Sequence, residues 1–197
     1  VHLLTVAKDA QFPSWFYPIV RTALETGMRK SELRALQYKA LGEDTIHVYH
    51  SVSDAKGQTN TIVSPKTKSS IRKIHVDKTL ITYLKSLPHQ SEDDFIFHSD
   101  KEGSNAIINA STISFQFKKL VAASGIDKPL HFHDLRHTHA TLLIMAGVNI
   151  KTVSSRLGHA NINITLNLYT HALPQQDQEA SELITTMLQP ATTNDTK

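Results

Sequence analysis

The chain has no cysteine among its 197 residues. That excludes disulfides, thiolate nucleophiles and zinc held by sulfur. No apolar run approaches the roughly 18 residues a membrane-spanning helix requires, and no signal peptide opens the chain. A soluble, cytoplasmic protein is therefore expected. Glycine and proline number only seven each, and no repeat or low-complexity tract is present. A large excess of one charge is also missing. Lys and Arg total 21 against 18 Asp and Glu, which gives +3, and twelve histidines add to the basic side. Such a balance permits a nucleic-acid partner without requiring one.

What is present is a chain that is 40% hydrophobic, enough for a real core. Residues 1–13 read as an entry segment and Ser14 as a helix cap. From Trp15 to Glu25 the apolar residues Phe16, Ile19, Val20, Ala23 and Leu24 recur at helical spacing, and Gly27 stops the run. A short helix starts near Ser31, which puts Arg29 in a tight corner between helices. Between Thr45 and Val76 the period changes to two. Three strands (45–50, 59–63 and 71–76) with turns at 54–57 and 64–70 predict a three-stranded antiparallel meander. The stretch 66–78 carries Lys66, Lys68, Arg72, Lys73 and Lys78 against Asp77 alone. On charge alone this reads as a solvated edge hairpin. Further helices are expected over 77–87, 111–124, from Asp134 to Gly147, 150–157, 162–168 and 174–188, followed by a disordered tail at 189–197. The fold class expected is α+β, mainly α-helical, in one domain over 1–188.

The chemistry concentrates in His131-Phe-His-Asp-Leu-Arg-His-Thr-His139. His133 and Arg136 stand three residues apart, one turn along a helix, and can converge on an anion. His133-Asp-Leu-Arg-His137 also imitates the H-E-x-x-H zinc helix. Against that, Arg136 lies on the His133 side, where it would repel a dication, and Asp is shorter than the usual base. A plain helix-turn-helix over 142–158 is a second rival, with a helix, Gly turn and helix in order. It would account for DNA affinity but leaves Arg29, His133, Arg136 and Tyr169 without a task.

Four blocks taken together resemble the catalytic domain of tyrosine recombinases of the phage-integrase type. They are Thr26-Gly-Met-Arg-Lys-Ser-Glu-Leu33, Pro65-Lys-Thr-Lys-Ser-Ser-Ile-Arg-Lys-Ile74, His133-Asp-Leu-Arg-His-Thr-His-Ala-Thr141, and Leu157-Gly-His159 through to Tyr169-Thr-His171. The resemblance implies that Tyr169 attacks a DNA phosphodiester and becomes a 3′-phosphotyrosine. It implies that Arg29 and Arg136 clamp the non-bridging oxygens and that Lys66 protonates the 5′-oxygen. Lys68, two residues on, is the alternative to Lys66. His133 is implied as proton acceptor or phosphate hydrogen-bonder, His159 as a further phosphate donor, and Glu32 as the acidic brace behind them. Lys68, Arg72 and Lys73 are expected on the DNA backbone.

The residue types suit this chemistry. Equatorial oxygens gain negative charge during attack, and planar guanidiniums answer it with paired bonds that lysine cannot make. Tyrosine, with a pKa near 10, needs a base and a positive field. The arginines, lysine and imidazoles take over what Mg²⁺ does elsewhere, so no cofactor or metal is expected. The resemblance further implies site-specific recombination for integration or excision of a mobile element. Its partners would be duplex attachment sites, a homo-tetramer on DNA formed from monomers, and accessory DNA-bending proteins, all on the bacterial nucleoid. A non-cleaving regulator and a chromosome-dimer-resolving recombinase are the alternatives. Members of this family carry an N-terminal DNA-clamping domain, and nothing before Arg29 is long enough to be one. The chain is therefore expected to be the catalytic fragment of a longer integrase.

Overall fold

Phe16, Ile19, Val20 and Ala23 share one face of helix α2 (Phe16–Thr26), and all four are buried. The computed structural model describes residues 2–9, 11–55, 60–64, 70–99, 105–163, 165–166 and 184. Helices dominate it: α1 (His2–Val6), α2, α3 (Lys30–Arg34), α4 (Lys78–Lys85), α5 (Ala110–Ala123), α6 (Asp134–Met145) and α7 (Ile150–Leu157). A small antiparallel sheet sits among them, as the mainly helical α+β class anticipates. No helix among the described residues is long and apolar enough to cross a membrane. The expected helix over 174–188 and the tail at 189–197 lie outside the described residues, apart from Ile184.

The start of α2 differs from expectation. Trp15, not Ser14, takes the cap position, and the chain enters through a turn in which Phe16 N–H donates to Pro13 O (2.9 Å). Its end is as expected: Gly27 adopts φ 65°, and its N–H donates to Ala23 O at 2.9 Å. That left-handed residue turns the chain sharply into α3.

The sheet is antiparallel, but it is built as two two-stranded ladders rather than one three-stranded meander. Strand β1 (Thr45–Val48) pairs with β4 (Arg72–His75), with Thr45 opposite His75 and Val48 opposite Arg72. Strand β2 (Ser51–Ser53) pairs with β3 (Thr61–Val63). The stretch 45–53 thus changes partner across Tyr49 and His50, whose rings meet edge-on at 4.6 Å. Buried Arg34 anchors the far end of the second ladder. It forms ion-paired hydrogen bonds to Asp54, donates to the side chain of Asn60, and reaches Ile108 O at 2.7 Å. Asn60 itself has φ 57°.

The main core joins α2, the sheet, α4 and α5 through Phe16, Ile19, Leu33, Ile46, Ile74, Leu80, Phe97 and Phe117. A smaller cluster of Ala140, Ile144, Val153 and Leu157 packs α6 against α7. Helix α6 also lies along α2. The closeness is set at Gly27, where a Cβ would come within 2.7 Å of both His139 Cδ2 and Leu157 Cδ2. The ends of α2 and α7 therefore meet against the middle of α6.

Candidate active site

Arg29 is the cap residue of α3, held extended at φ −70°, ψ 150°. Glu32, at the third helical position, folds back on it. Its Oε2 accepts from Arg29 N–H (2.8 Å) and its Oε1 from Arg29 Nη1 (2.9 Å). This is the acidic half of a capping box, here also fixing a guanidinium. Lys30, the neighbouring cation, is turned away onto α5, where Nζ donates to Ser114 Oγ (2.9 Å) and Ala110 O (3.3 Å).

The two expected clamp arginines come together on the end of α7. Arg29 Nη2 donates to Gly158 O (3.0 Å), and Arg136 Nη2 donates to Leu157 O (2.7 Å). The unpaired carbonyls of a helix C-terminus carry partial negative charge and take cationic donors readily. Arg136 Nη1 donates to Gly27 O at 2.6 Å, so one guanidinium links α2, α6 and α7. Arg136 is 4% exposed, Arg29 about a third exposed at its side chain. Burial, and then the Arg29 cation, push the Arg136 guanidinium down to about 9, so it stays charged at neutral pH.

The imidazoles are placed around these cations. His133 precedes α6, and its ring meets His137 edge-on at 4.9 Å. Burial, then His137 and Arg136, hold His133 below the usual histidine range. His159 follows Gly158, which ends α7 at φ 67°. Its Nδ1 lies 2.8 Å from Oγ1 of Thr165, a fully buried residue. Burial, with Arg136 and Arg29 beside it, pushes His159 down to about 4. Both imidazoles are thus neutral at physiological pH, and a neutral imidazole can still exchange a proton.

Arg29, Glu32, His133, Arg136 and His159 are therefore brought to one place. Lys66, Lys68 and Tyr169 lie outside the described residues. Lys73 is exposed on β4, whereas the Arg72 side chain is turned inward and is 7% exposed.

Two neighbours of the site, His139 and Arg156, were not among the residues expected there. His139 lies one turn beyond Arg136 on the same buried face. Its Nδ1–H donates to Leu24 O (2.8 Å), and its Nε2 accepts from Arg156 Nε (3.1 Å). Arg156 also donates to His75 O (2.8 Å) and Glu25 O (3.0 Å). The only available signals were the three-residue spacing from Arg136 and the position of Arg156 just before Leu157-Gly-His. Burial pushes His139 down to about 4, against an ordinary value of 6.5. The unfolded chain then binds the proton more tightly than the folded one between these values, so stability falls as pH drops through that window. His139 contributes a loss on the order of 3 kcal/mol by pH 4, and His159, held equally low, adds its own share. Urea midpoints between pH 7 and 4 should show it, and His139→Gln should make the profile shallower, leaving the part that belongs to His159. An unchanged slope in that variant would contradict the assignment.

Against known proteins, the phage integrase family model matches residues 1–176. The chain is 34% identical over 184 residues to a XerC-like tyrosine recombinase of Caldanaerobacter subterraneus subsp. tengcongensis, covering 82% of this chain and 47% of that protein. It is 30% identical over 202 residues to the ICEBs1 integrase of Bacillus subtilis, covering 93% and 51%. The fold matches the Tn1549 transposon integrase in complex with transposon right-end DNA, with a TM-score of 0.76 and 26% identity over 93% of this chain and 63% of that one. It also matches the catalytic domain of bacteriophage HP1 integrase, with a TM-score of 0.59 and 23% identity over 96% and 93%. The chain spans about half the length of the curated relatives it matches. With four motif blocks in family order and the family model spanning most of its length, the chain belongs to the phage integrase family.

Proposed function

We propose that the chain is the catalytic part of a site-specific DNA recombinase that cuts and rejoins strands through a covalent 3′-phosphotyrosine. The observation that carries this reading is the anchoring of Arg29 and Arg136 on the successive carbonyls of Gly158 and Leu157. Each guanidinium spends part of its donor set on the protein and keeps the rest for an anion. Two fixed cations side by side match the charge of a phosphodiester under attack. A non-cleaving regulator built on α6 and α7 would give Arg136 a packing role alone and would leave the pairing of Arg29 beside it without purpose.

In the reaction, the Tyr169 phenolic oxygen bonds to phosphorus and the bond from phosphorus to the 5′-oxygen breaks. The tyrosine proton passes to neutral His133. Lys66, or Lys68 in its place, supplies a proton to the departing 5′-oxygen. Arg29 and Arg136 balance the charge on the non-bridging oxygens. With Nδ1 accepting a hydrogen bond from the Thr165 hydroxyl, His159 presents its other ring nitrogen as an N–H donor. Rejoining reverses the steps with another 5′-hydroxyl, so the phosphotyrosine conserves the bond and no nucleotide is consumed. The substrate is duplex DNA carrying attachment sites, bound largely through phosphates, with Lys73 on the exposed face of β4. Tetramer assembly on DNA, accessory bending proteins and residence on the nucleoid belong to the same reading. The likeness to a XerC-like recombinase favours chromosome-dimer resolution as the second reading, with identical chemistry.

The test is a nicked suicide duplex bearing the native site, incubated with full-length protein in EDTA. An SDS-resistant protein–DNA adduct is expected, and Tyr169→Phe should abolish it. Binding without any adduct would leave the regulator reading in its place.

A further inference from the structure

Glu32 is a buried carboxylate with four donors on it, and only half of them come from Arg29. Arg72 Nη1 donates to Oε1 (3.0 Å) and Arg72 Nη2 to Oε2 (2.9 Å), a two-pronged pair opposite the Arg29 contacts. The third prong, Arg72 Nε, donates to Arg156 O in the last turn of α7 (2.7 Å), and Nη1 also reaches Ser70 O (3.1 Å). Arg156 returns the link through its bond to His75 O (2.8 Å), so β4 and α7 are stitched in both directions. With its side chain 7% exposed and every nitrogen committed inside the protein, Arg72 is poorly placed for the DNA contact expected of its charged stretch.

The electrostatics give this arrangement a purpose. A carboxylate facing Arg29 alone would fix the guanidinium but also cancel its field at the phosphate. With a second guanidinium on the same carboxylate, the trio keeps a net charge of one positive unit. Glu32 can then orient Arg29 and leave its charge available, and charges in such a water-poor setting act over short distances with little screening.

We propose that Arg72 is a positioning residue that neutralises and orients Glu32, so that Glu32 aims Arg29 at the scissile phosphate without quenching it. The proposal rests on the reading that Arg29 clamps that phosphate. Lysine at 72 would keep the charge but cannot span Glu32 and Arg156 O together.

The experiment compares Arg72→Ala, Arg72→Lys and Arg29→Ala in the full-length protein at saturating DNA. Single-turnover adduct formation is followed on two suicide duplexes. One carries an ordinary phosphodiester at the scissile position, the other a methylphosphonate, in which a charged oxygen is replaced by methyl and less cationic compensation is needed. On the phosphodiester, Arg72→Ala should lose about 100-fold, a loss of the size seen when one transition-state donor is removed. Arg72→Lys should lose about tenfold, since it restores charge without geometry. On the methylphosphonate both should return to within about threefold of the wild type, as Arg29→Ala also should, because the charge that Arg29 answers is gone. Equal losses on the two duplexes, no loss on the phosphodiester, or a loss cured by more DNA would each overturn the proposal. A wild-type protein that forms no adduct on the phosphodiester would remove the recombinase reading, and this proposal with it.

Discussion

Arg136→Lys is expected to lower single-turnover cleavage by about 10²–10³-fold at saturating DNA, the cost of losing one well-placed transition-state donor. The reason lies in how the side chain is spent. Its two Nη groups hold Gly27 O (2.6 Å) and Leu157 O (2.7 Å), leaving the rest of the fork to face an anion. An ammonium is a point charge, and it cannot make both anchoring bonds and still approach the phosphate. The same substitution should cost stability, because a buried carbonyl left without its donor costs about 1–3 kcal/mol. Cleavage and urea unfolding measured on the same preparation separate the two effects. Cleavage within tenfold of the wild type would show that Arg136 is a structural rivet only.

Gly27→Ala should be strongly damaging for so small a change. An added Cβ would lie 2.7 Å from His139 Cδ2 and from Leu157 Cδ2, at a residue whose φ is 65°. Left-handed backbone costs an L-residue about 1–2 kcal/mol, and overpacking a filled contact about 1–3 kcal/mol. A total on the order of 3 kcal/mol should lower Tm by about 10 °C for a chain of this size. Because the intruding methyl presses on the residues that seat Arg136 and Arg156, cleavage should fall in the fraction that remains folded. A Tm within about 2 °C of the wild type would mean that α6 and α7 shift freely away from α2, against the packing described.

How much of this was legible in the sequence depended on whether a residue's partner leaves a pattern. Helix α7 matched its expected bounds because Asn149 caps it, its side chain accepting from Lys151 N–H, and Gly158 stops it. Arg29 and Glu32 were legible through the resemblance carried by Thr26–Leu33, whereas the capping contacts between them emerge only in the fold. The anchoring of the buried arginines was not legible. Arg136 and Arg156 are satisfied largely by main-chain carbonyls, those of Gly27, Leu157, Glu25 and His75. Every residue has a carbonyl, so no residue type announces such a partner. Arg72 read as one of a run of surface cations for the same reason: the run shows its charge and hides its direction. The sheet followed suit. Alternation marked the strands, but the change of partner at Tyr49 and His50 depends on contacts far apart in the chain.

The saturation of Glu32 bears on proton traffic. Burial alone would raise its carboxyl, but the hydrogen bonds and charge of Arg72, and then those of Arg29, outweigh that and hold it below the usual carboxylate range. Four donors occupy its two oxygens, so no lone pair is left to receive the phenolic hydrogen. The acidic residue closest to the clamp is in effect a permanent anion, excluded from the acid–base cycle it supports. The pH–rate profile of cleavage should therefore carry no carboxylate limb from this site, and its acidic limb should belong to an imidazole.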